Sequence, residues 1–302
     1  MNVLKDLLGI IAVVNTPYTD QDKIDQSSIR RYVKFALDNQ VAAFLVPAMA
    51  AEVNKLSGEE REMIVRTIVE EVDGKVPVIG GASAPSQKER LKYVKKLQEM
   101  GCLGILVQIP FEDEKTFKNQ IYQIADSISG FLMIQDWDFK GFGIPVKTIV
   151  ELFNQLDVFK CLKVEVVPAG IKYSEVLQAT DNCLHVSGGW ASSQMIEALD
   201  RGVHAFMVTI FHDILLEIYN LYRKGEREKA ETLFGNVLPA LVFSHQHLDI
   251  SIHFNKRFCY KRGLFTTSKA REPILAFDDI HLRIADQLIE DTFRLSEMIR
   301  DS

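Results

Sequence analysis

Residues 159–180 read FKCLKVEVVPAGIKYSEVLQAT. Phe159–Val164 is a short apolar run of strand length, and Ser174–Thr180 beyond it has helical spacing, so the segment reads as one strand-then-helix unit. The same alternation continues on both sides. Upstream, Gly9–Val14 precedes a helical pattern over Ser28–Asn39, and Ala42–Val46 precedes Ser57–Val72, where Ser57 and Glu60 make a capping box. Val76–Gly80 leads to Ser86–Met100, Gly104–Ile109 to Glu114–Ser129, and Phe131–Gln135 to Pro145–Leu156, with Pro145 suited to a helix first turn. Downstream, Leu184–Ser187 precedes Ser193–Asp200, and Ala205–Thr209 is the eighth run. Eight strand–helix units are the number that closes a parallel (β/α)₈ barrel, an α/β fold. An open doubly wound sheet usually carries a Gly-rich phosphate loop after its first strand. Here that place reads Asn15-Thr16-Pro17-Tyr18, which favours the closed barrel.

After about Leu215 the pattern is helical only, over Asp213–Arg223, Glu226–Phe243 and a last stretch from about Ile280 to Arg300. The expected division is therefore a TIM barrel over residues 1–224 and a C-terminal all-helical extension over 225–302. The 302 residues are 47% hydrophobic and 25% charged with a net charge of −6, and no basic stripe stands out, which argues against a nucleic-acid partner. Cys102, Cys161, Cys183 and Cys259 are far apart and read as reduced core thiols. Met1–Asp6 lacks the long apolar region of a signal peptide, and no stretch has membrane-spanning length. The expectation is a cytoplasmic protein without a membrane partner.

In barrels of this kind the chemistry sits at the C-terminal ends of the strands. Lys163 lies inside an apolar strand there. Burying an ammonium is costly, and a lysine whose pKa falls in response becomes a nucleophilic amine able to form an imine with a carbonyl compound. The plainer reading is a lysine that snorkels to solvent or pairs with Glu165. Lys172, beyond Pro168-Ala169-Gly170, reads as a loop residue, either solvated or holding a substrate carboxylate. Met49-Ala50-Ala51 before Glu52 are small or flexible enough for a backbone loop to approach a ligand, or they make an ordinary tight turn with Glu52 capping a neighbour. Gln135-Asp136-Trp137-Asp138 ends the fifth run and suits acid–base work or helix capping. Gly188-Gly189-Trp190 suits a substrate contact, although the glycines equally serve a turn. His245, His247 and His253 are not at helical ligand spacing, so they read as core or interface residues and no metal is expected.

These residues together resemble the dihydrodipicolinate synthase and N-acetylneuraminate lyase superfamily of class I aldolases. The matching elements, in the family's order, are Asn15-Thr16-Pro17-Tyr18 with Asp25, then Glu52 with Leu56-Ser57-Gly58-Glu59-Glu60-Arg61. Pro77-Val78-Ile79-Gly80-Gly81, Lys163-Val164-Glu165, Ser187-Gly188 and Lys261-Arg262-Gly263-Leu264 follow. The resemblance implies a barrel with a helical C-terminal extension, a homo-oligomer (tetramer or dimer), and Schiff-base chemistry on Lys163 with no cofactor. Three family features are replaced. Met49 and Ala50 stand where two hydroxyl residues hold the substrate carboxylate, Gln135 replaces the proton-relay tyrosine of strand five, and Phe111-Glu112 replaces a tyrosine pair after strand four.

Gln135-Asp136, Gly189-Trp190, the run from His245 to Phe254 and Arg271-Glu272-Pro273 are similar to the branch that dehydrates 2-keto-3-deoxy pentonates, whose named member is L-2-keto-3-deoxyarabonate dehydratase. The expected activity is thus dehydration of a 2-keto-3-deoxy sugar acid, a small-molecule keto acid. Lys163 would be the nucleophile, with Glu165, Asp136 or a water on Gln135 as acid and base. Backbone amides around Ala50–Ala51, with Lys172, would hold the carboxylate. The alternatives are a pyruvate-dependent aldolase using the same imine, either synthase-like or a retro-aldol lyase, and a non-catalytic keto-acid sensor.

Overall fold

A computed structural model describes residues 2–301. The strands Gly9–Val13, Ala43–Val46, Val78–Gly81, His185–Gly188 and Ala205–Val208 are buried along their whole length, as parallel strands between a barrel interior and a helix layer must be. The chain opens with α1 (Val3–Asp6) and β1 (Gly9–Val13), then α2 (Gln26–Asp38) and β2 (Ala43–Val46). Two 3-10 turns, Met49–Ala51 and Val53–Lys55, precede α3 (Gly58–Val72). Next come β3 (Val78–Gly81), α4 (Gln87–Glu99), β4 (Gly104–Gln108), α5 (Glu114–Ala125), β5 (Phe131–Asp138) and α6 (Val146–Gln155). They are followed by β6 (Phe159–Val166), α7 (Ala169–Ala179), β7 (His185–Gly188), α8 (Met195–Asp200) and β8 (Ala205–Val208). The eight strands close a barrel in chain order, and the pairings from β3 to β8 are parallel. The chain ends in α9 (His212–Arg223), α10 (Arg227–Ser244), α11 (Leu248–Lys261) and α12 (Asp279–Arg300).

Two compact units divide the chain. One comprises Met1–Ile11, Ala42–Leu45 and Val76–Met207, the other Ala12–Val41, Val46–Lys75 and Val208–Ser302. In the first, α4 to α8 pack in sequence along the strands they connect, with α7 against β6. In the second, α9, α10 and α12 pack on one another, and α11 packs on the 3-10 turn at Met49–Ala51. The expected 224/225 boundary falls in the turn between α9 and α10. The helix starts follow from local chemistry. Ser57 and Glu60 form the capping box of α3, Ser86 and Glu89 form another on α4, and the Asp25 carboxylate accepts the Ser28 amide to open α2.

Several sequence expectations need correction. β5 runs on to Asp138 and β6 to Val166, so Asp136 and Glu165 belong to strands and their faces are fixed by the two-residue period. α7 begins at Ala169, directly after Pro168, which places Lys172 inside a helix and fully buried rather than in a solvated loop. Gly170 there serves close packing and not a turn, because a Cβ on it would overlap the Glu197 carboxylate and come 2.9 Å from Arg201 Nε. Pro145 is the N-cap of α6, one place before the first turn. α11 has no counterpart in the sequence reading. Cys183 is exposed in the turn after α7, whereas Cys102, Cys161 and Cys259 are buried. The histidines have structural partners. His247 caps α11 by accepting the Asp249 amide, and His253 stacks on Phe277 at 5.0 Å. His245 is half-buried at the end of α10, and loss of solvent lowers its pKa to about 4. Among the described residues no helix is long and apolar enough to cross a membrane, and no group of three ligating side chains is placed to hold a metal ion.

Candidate active site

On β6, Lys163 and Glu165 are two residues apart and share a face. The Lys163 Nζ lies 3.3 Å from Glu165 Oε2, and the two residues are only 5% and 8% exposed. In the strand registers Gln135 of β5 and Ser187 of β7 sit level with Lys163. Gln135 Nε2 donates to the same oxygen, Glu165 Oε2. A carboxylate that accepts from an amide and an amine at once has its oxygen fixed in place, with the second oxygen turned toward Gly189. That glycine is required by space, because a Cβ on it would overlap Glu165 Oε1 and approach Lys163 Cε to 2.5 Å. The chain therefore keeps side-chain volume away from the amine by a residue choice, and Trp190 follows immediately. Tyr173 of α7 is buried, its hydroxyl is raised well above the ordinary range by burial and then by the Glu165 charge, and no partner for it is present among the described residues.

Asp136 is adjacent to Gln135 on β5, so it points to the opposite, helix-layer face. There it meets Lys172 of α7 at 3.0 Å, with exposures of 1% and 0%. Lys172 Nζ also donates to the carbonyls of Phe142 (2.7 Å) and Ile144, and the Ile144 amide donates to Asp136 Oδ1 at 2.8 Å. Burial raises the Asp136 pKa, and the lysine draws it back. This pair ties the loop after β5 to α7. Neither residue shares the face of Lys163, so the expectation that Asp136 acts as a catalytic acid or base, and that Lys172 holds a substrate carboxylate, gives way to a structural pair.

In the other compact unit, the turn after β2 is held from beneath. Asn15 Nδ2 donates to the Ala50 carbonyl at 2.5 Å and Thr16 Oγ1 to that of Ala51 at 2.7 Å. The amides of Ala51 and Glu52 close the turn onto the Ala48 and Met49 carbonyls, so the Ala51 amide expected to meet substrate is already committed. Glu52 itself is buried in a left-handed conformation (φ 56°). Its carboxylate takes Lys55 Nζ at 3.0 Å, Lys256 Nζ, and the Arg271 amide at 3.0 Å. A non-glycine residue at positive φ stores strain of about 1–3 kcal/mol, which such a set of charge-assisted contacts offsets. Burial lowers the Lys256 pKa to about 8, against the pull of Glu52. The Tyr18 ring lies between two cations, 4.3 Å from Lys256 Nζ and 4.3 Å from the Arg271 guanidinium. Glu52 is thus a buried hub, and its assignment as a substrate contact is corrected. The sequence reading paired neither Lys256 nor Arg271 with Glu52, because the first is 204 residues from it and nothing local marks either as its partner.

The model of the dihydrodipicolinate synthetase family matches residues 6–291. L-2-keto-3-deoxyarabonate dehydratase of Azospirillum brasilense is 23% identical over 303 residues, covering 96% of this chain and 95% of the relative. A 4-hydroxy-tetrahydrodipicolinate synthase of Methanococcus maripaludis is 24% identical over 237 residues, covering 77% of this chain and 81% of the relative. Among solved structures, dihydrodipicolinate synthase from Rhodopseudomonas palustris superposes with a TM-score of 0.88 at 23% identity, over 95% of this chain and 98% of that one. A monomeric dihydrodipicolinate synthase variant does so with a TM-score of 0.88 at 20% identity, over 97% and 99%. With a closed eight-stranded barrel, helices between the strands and a family match over nearly its whole length, the chain belongs to the dihydrodipicolinate synthetase family, whose members are lyases.

Proposed function

We propose that the chain is a Schiff-base lyase that eliminates water from a 2-keto-3-deoxy sugar acid, with Lys163 as its nucleophile. The observation that carries the reading is the buried Lys163 amine 3.3 Å from a Glu165 carboxylate that Gln135 fixes from the other side. Lys163 Nζ adds to the keto carbon C2, and the carbinolamine loses water to give an iminium. Glu165 takes a proton from C3, the C3–H pair becomes the C2–C3 double bond, and the C2–N π pair settles on nitrogen to give the enamine. The enamine then expels the C4 hydroxyl, which leaves as water with the proton carried by Glu165. Hydrolysis of the remaining iminium consumes one water and frees the unsaturated keto acid and the amine. The iminium nitrogen is the electron sink, so every step is written with this chain's own side chains.

On the family resemblance Met49 and Ala50 stand at carboxylate-holding positions, and the amides of Ala51 and Glu52 are the ones spent within the turn. Gly188, Gly189 and Trp190 line the substrate beside Glu165. Assembly as a homo-oligomer, tetramer or dimer, and a cytoplasmic location belong to the same proposal and rest on the family resemblance. The synthases among the relatives favour a second reading, in which the same imine breaks or makes a C–C bond. Gln135 in place of a tyrosine supports dehydration over that route, because an amide orients a carboxylate but does not relay protons. Incubation with 2-keto-3-deoxypentonates and -hexonates, with products identified by NMR and mass, tests the choice. Loss of one water per turnover is expected. Release of pyruvate would move the chain to the aldolases, and binding without any product would make it a keto-acid sensor.

A further inference from the structure

Tyr173, near the start of α7, is 1% exposed, and its hydroxyl has no partner among the described residues. An unpaired buried hydroxyl costs stability, and a phenylalanine would fill the same space without that cost. The hydroxyl therefore serves something other than the resting fold. Its direction narrows what that is. Ile171 lies about 200° round the helix from Tyr173 and is 49% exposed, so Tyr173 faces the strands. α7 packs against β6 and starts at Ala169, just after that strand ends at Val166. A helical side chain leans toward the N-terminus of its helix, and here that direction is the end of β6 that carries Glu165. The phenolic proton is held by burial first and then by the Glu165 charge, ahead of that of Glu197.

These two carboxylates compete for the donor. Glu197 of α8 is exposed, and its Oε1 already accepts Arg201 Nε at 3.0 Å and lies 2.8 Å from Arg201 Nη2. Glu165 is buried, and its side-chain donors, Lys163 and Gln135, both reach Oε2. Among the described residues no side chain donates to its Oε1. The imbalance grows during the reaction. Once Lys163 has become an iminium, its nitrogen keeps one N–H where an ammonium has three, and Glu165 loses part of its partner. We propose that Tyr173 is a positioning residue for Glu165, its hydroxyl donating to Oε1 once the imine has formed and holding the carboxylate for removal of the C3 proton. Such a bond is open in the resting site and closes with substrate in place, as catalytic hydrogen bonds often do. The inference rests on the imine reading of Lys163 and adds one group to it.

The test follows exchange of the pyruvate methyl protons in D₂O by NMR, with the intact protein. Exchange needs the imine and the proton transfer at C3, and it needs no knowledge of the sugar acid. Tyr173→Phe should slow exchange about tenfold, the scale of one hydrogen bond. It should also move the acid limb of the pH–rate profile up by about one unit, because a carboxylate that has lost a donor holds its proton more tightly. Its melting temperature should stay or rise, and borohydride should still trap pyruvate on Lys163 in the same yield. A purely structural hydroxyl would give the opposite pattern, a lower melting temperature with the exchange profile unchanged, and that result would overturn the proposal. So would an equal change of profile in Glu197→Gln, which would assign the hydroxyl to Glu197. The two levels separate in the wild type. No adduct with pyruvate removes the imine reading and this inference with it, while an adduct whose exchange is absent or indifferent to Tyr173→Phe removes the role of Tyr173 and leaves the imine.

Discussion

Lys163–Glu165 and Lys172–Asp136 are both buried lysine–carboxylate pairs at the same end of β5 and β6, yet their surroundings differ. Lys172 donates to two backbone carbonyls besides its carboxylate, and Asp136 takes a backbone amide in return. Every direction around that ammonium is spoken for. Lys163 has, among the described residues, the Glu165 carboxylate as its one side chain within ion-pair distance, and a glycine stands where a side chain would otherwise press on both. A buried charge with its hydrogen bonds complete holds the fold, and one with capacity left over is available to a ligand. Pairing alone does not tell a catalytic lysine from a structural one.

The strongest way to break this contrast is to remove each lysine in turn. Lys163→Met should lower kcat by on the order of a thousandfold or more, because no other group supplies the imine, while stability stays within about 1–2 kcal/mol. Lys172→Met should do the reverse. It strands the Asp136 charge in the helix layer and costs roughly 3–5 kcal/mol in denaturant unfolding, with a far smaller loss of kcat per folded molecule. Equal effects of both substitutions on turnover would erase the distinction. Gly189→Ala sharpens it further. The added Cβ displaces Glu165 and Lys163 from each other, so kcat/KM should fall on the order of a hundredfold with little change in melting temperature. A wild-type rate in that variant would show that the space beside the amine is unused.

The smallest expected effect concerns groups outside both pairs. His185 and His212 are buried and His245 is half-buried, and loss of solvent lowers each pKa to about 4 from an ordinary 6.5. A depressed folded-state pKa means the unfolded chain binds the extra protons. The stability these rings contribute is therefore complete above pH 6.5 and is lost as pH falls toward 4. Between pH 7 and pH 6 the loss is roughly 0.5–1 kcal/mol per ring. Unfolding curves across that interval check the sign, and a gain of stability on acidification would contradict it.

Much of this was legible in the chain. The eight apolar runs lie on the eight strands, and Lys163 with Glu165 on one face follows from a strand that continues two residues further than its apolar core suggests. The error at Gln135-Asp136 was also avoidable, since neighbours on a strand face opposite ways and cannot serve one site together. Lys172 was misplaced for a different reason. Pro168-Ala169-Gly170 looks like a turn, and only the approach of Glu197 and Arg201 explains a glycine inside a helix there. Glu52 could not be read from sequence at all, because Lys256 and Arg271 reach it from a segment more than two hundred positions away. Long-range charge pairing leaves no local period, whereas strand faces do.

The most direct test of the account is borohydride reduction in the presence of pyruvate and, separately, of a 2-keto-3-deoxy acid, followed by intact mass and peptide mapping. A single reduced adduct on Lys163 is expected, and with the longer acid its mass should be one water less than that of the reduced imine of the intact acid. An adduct on Lys172 or Lys256, or none on a folded protein, would contradict it.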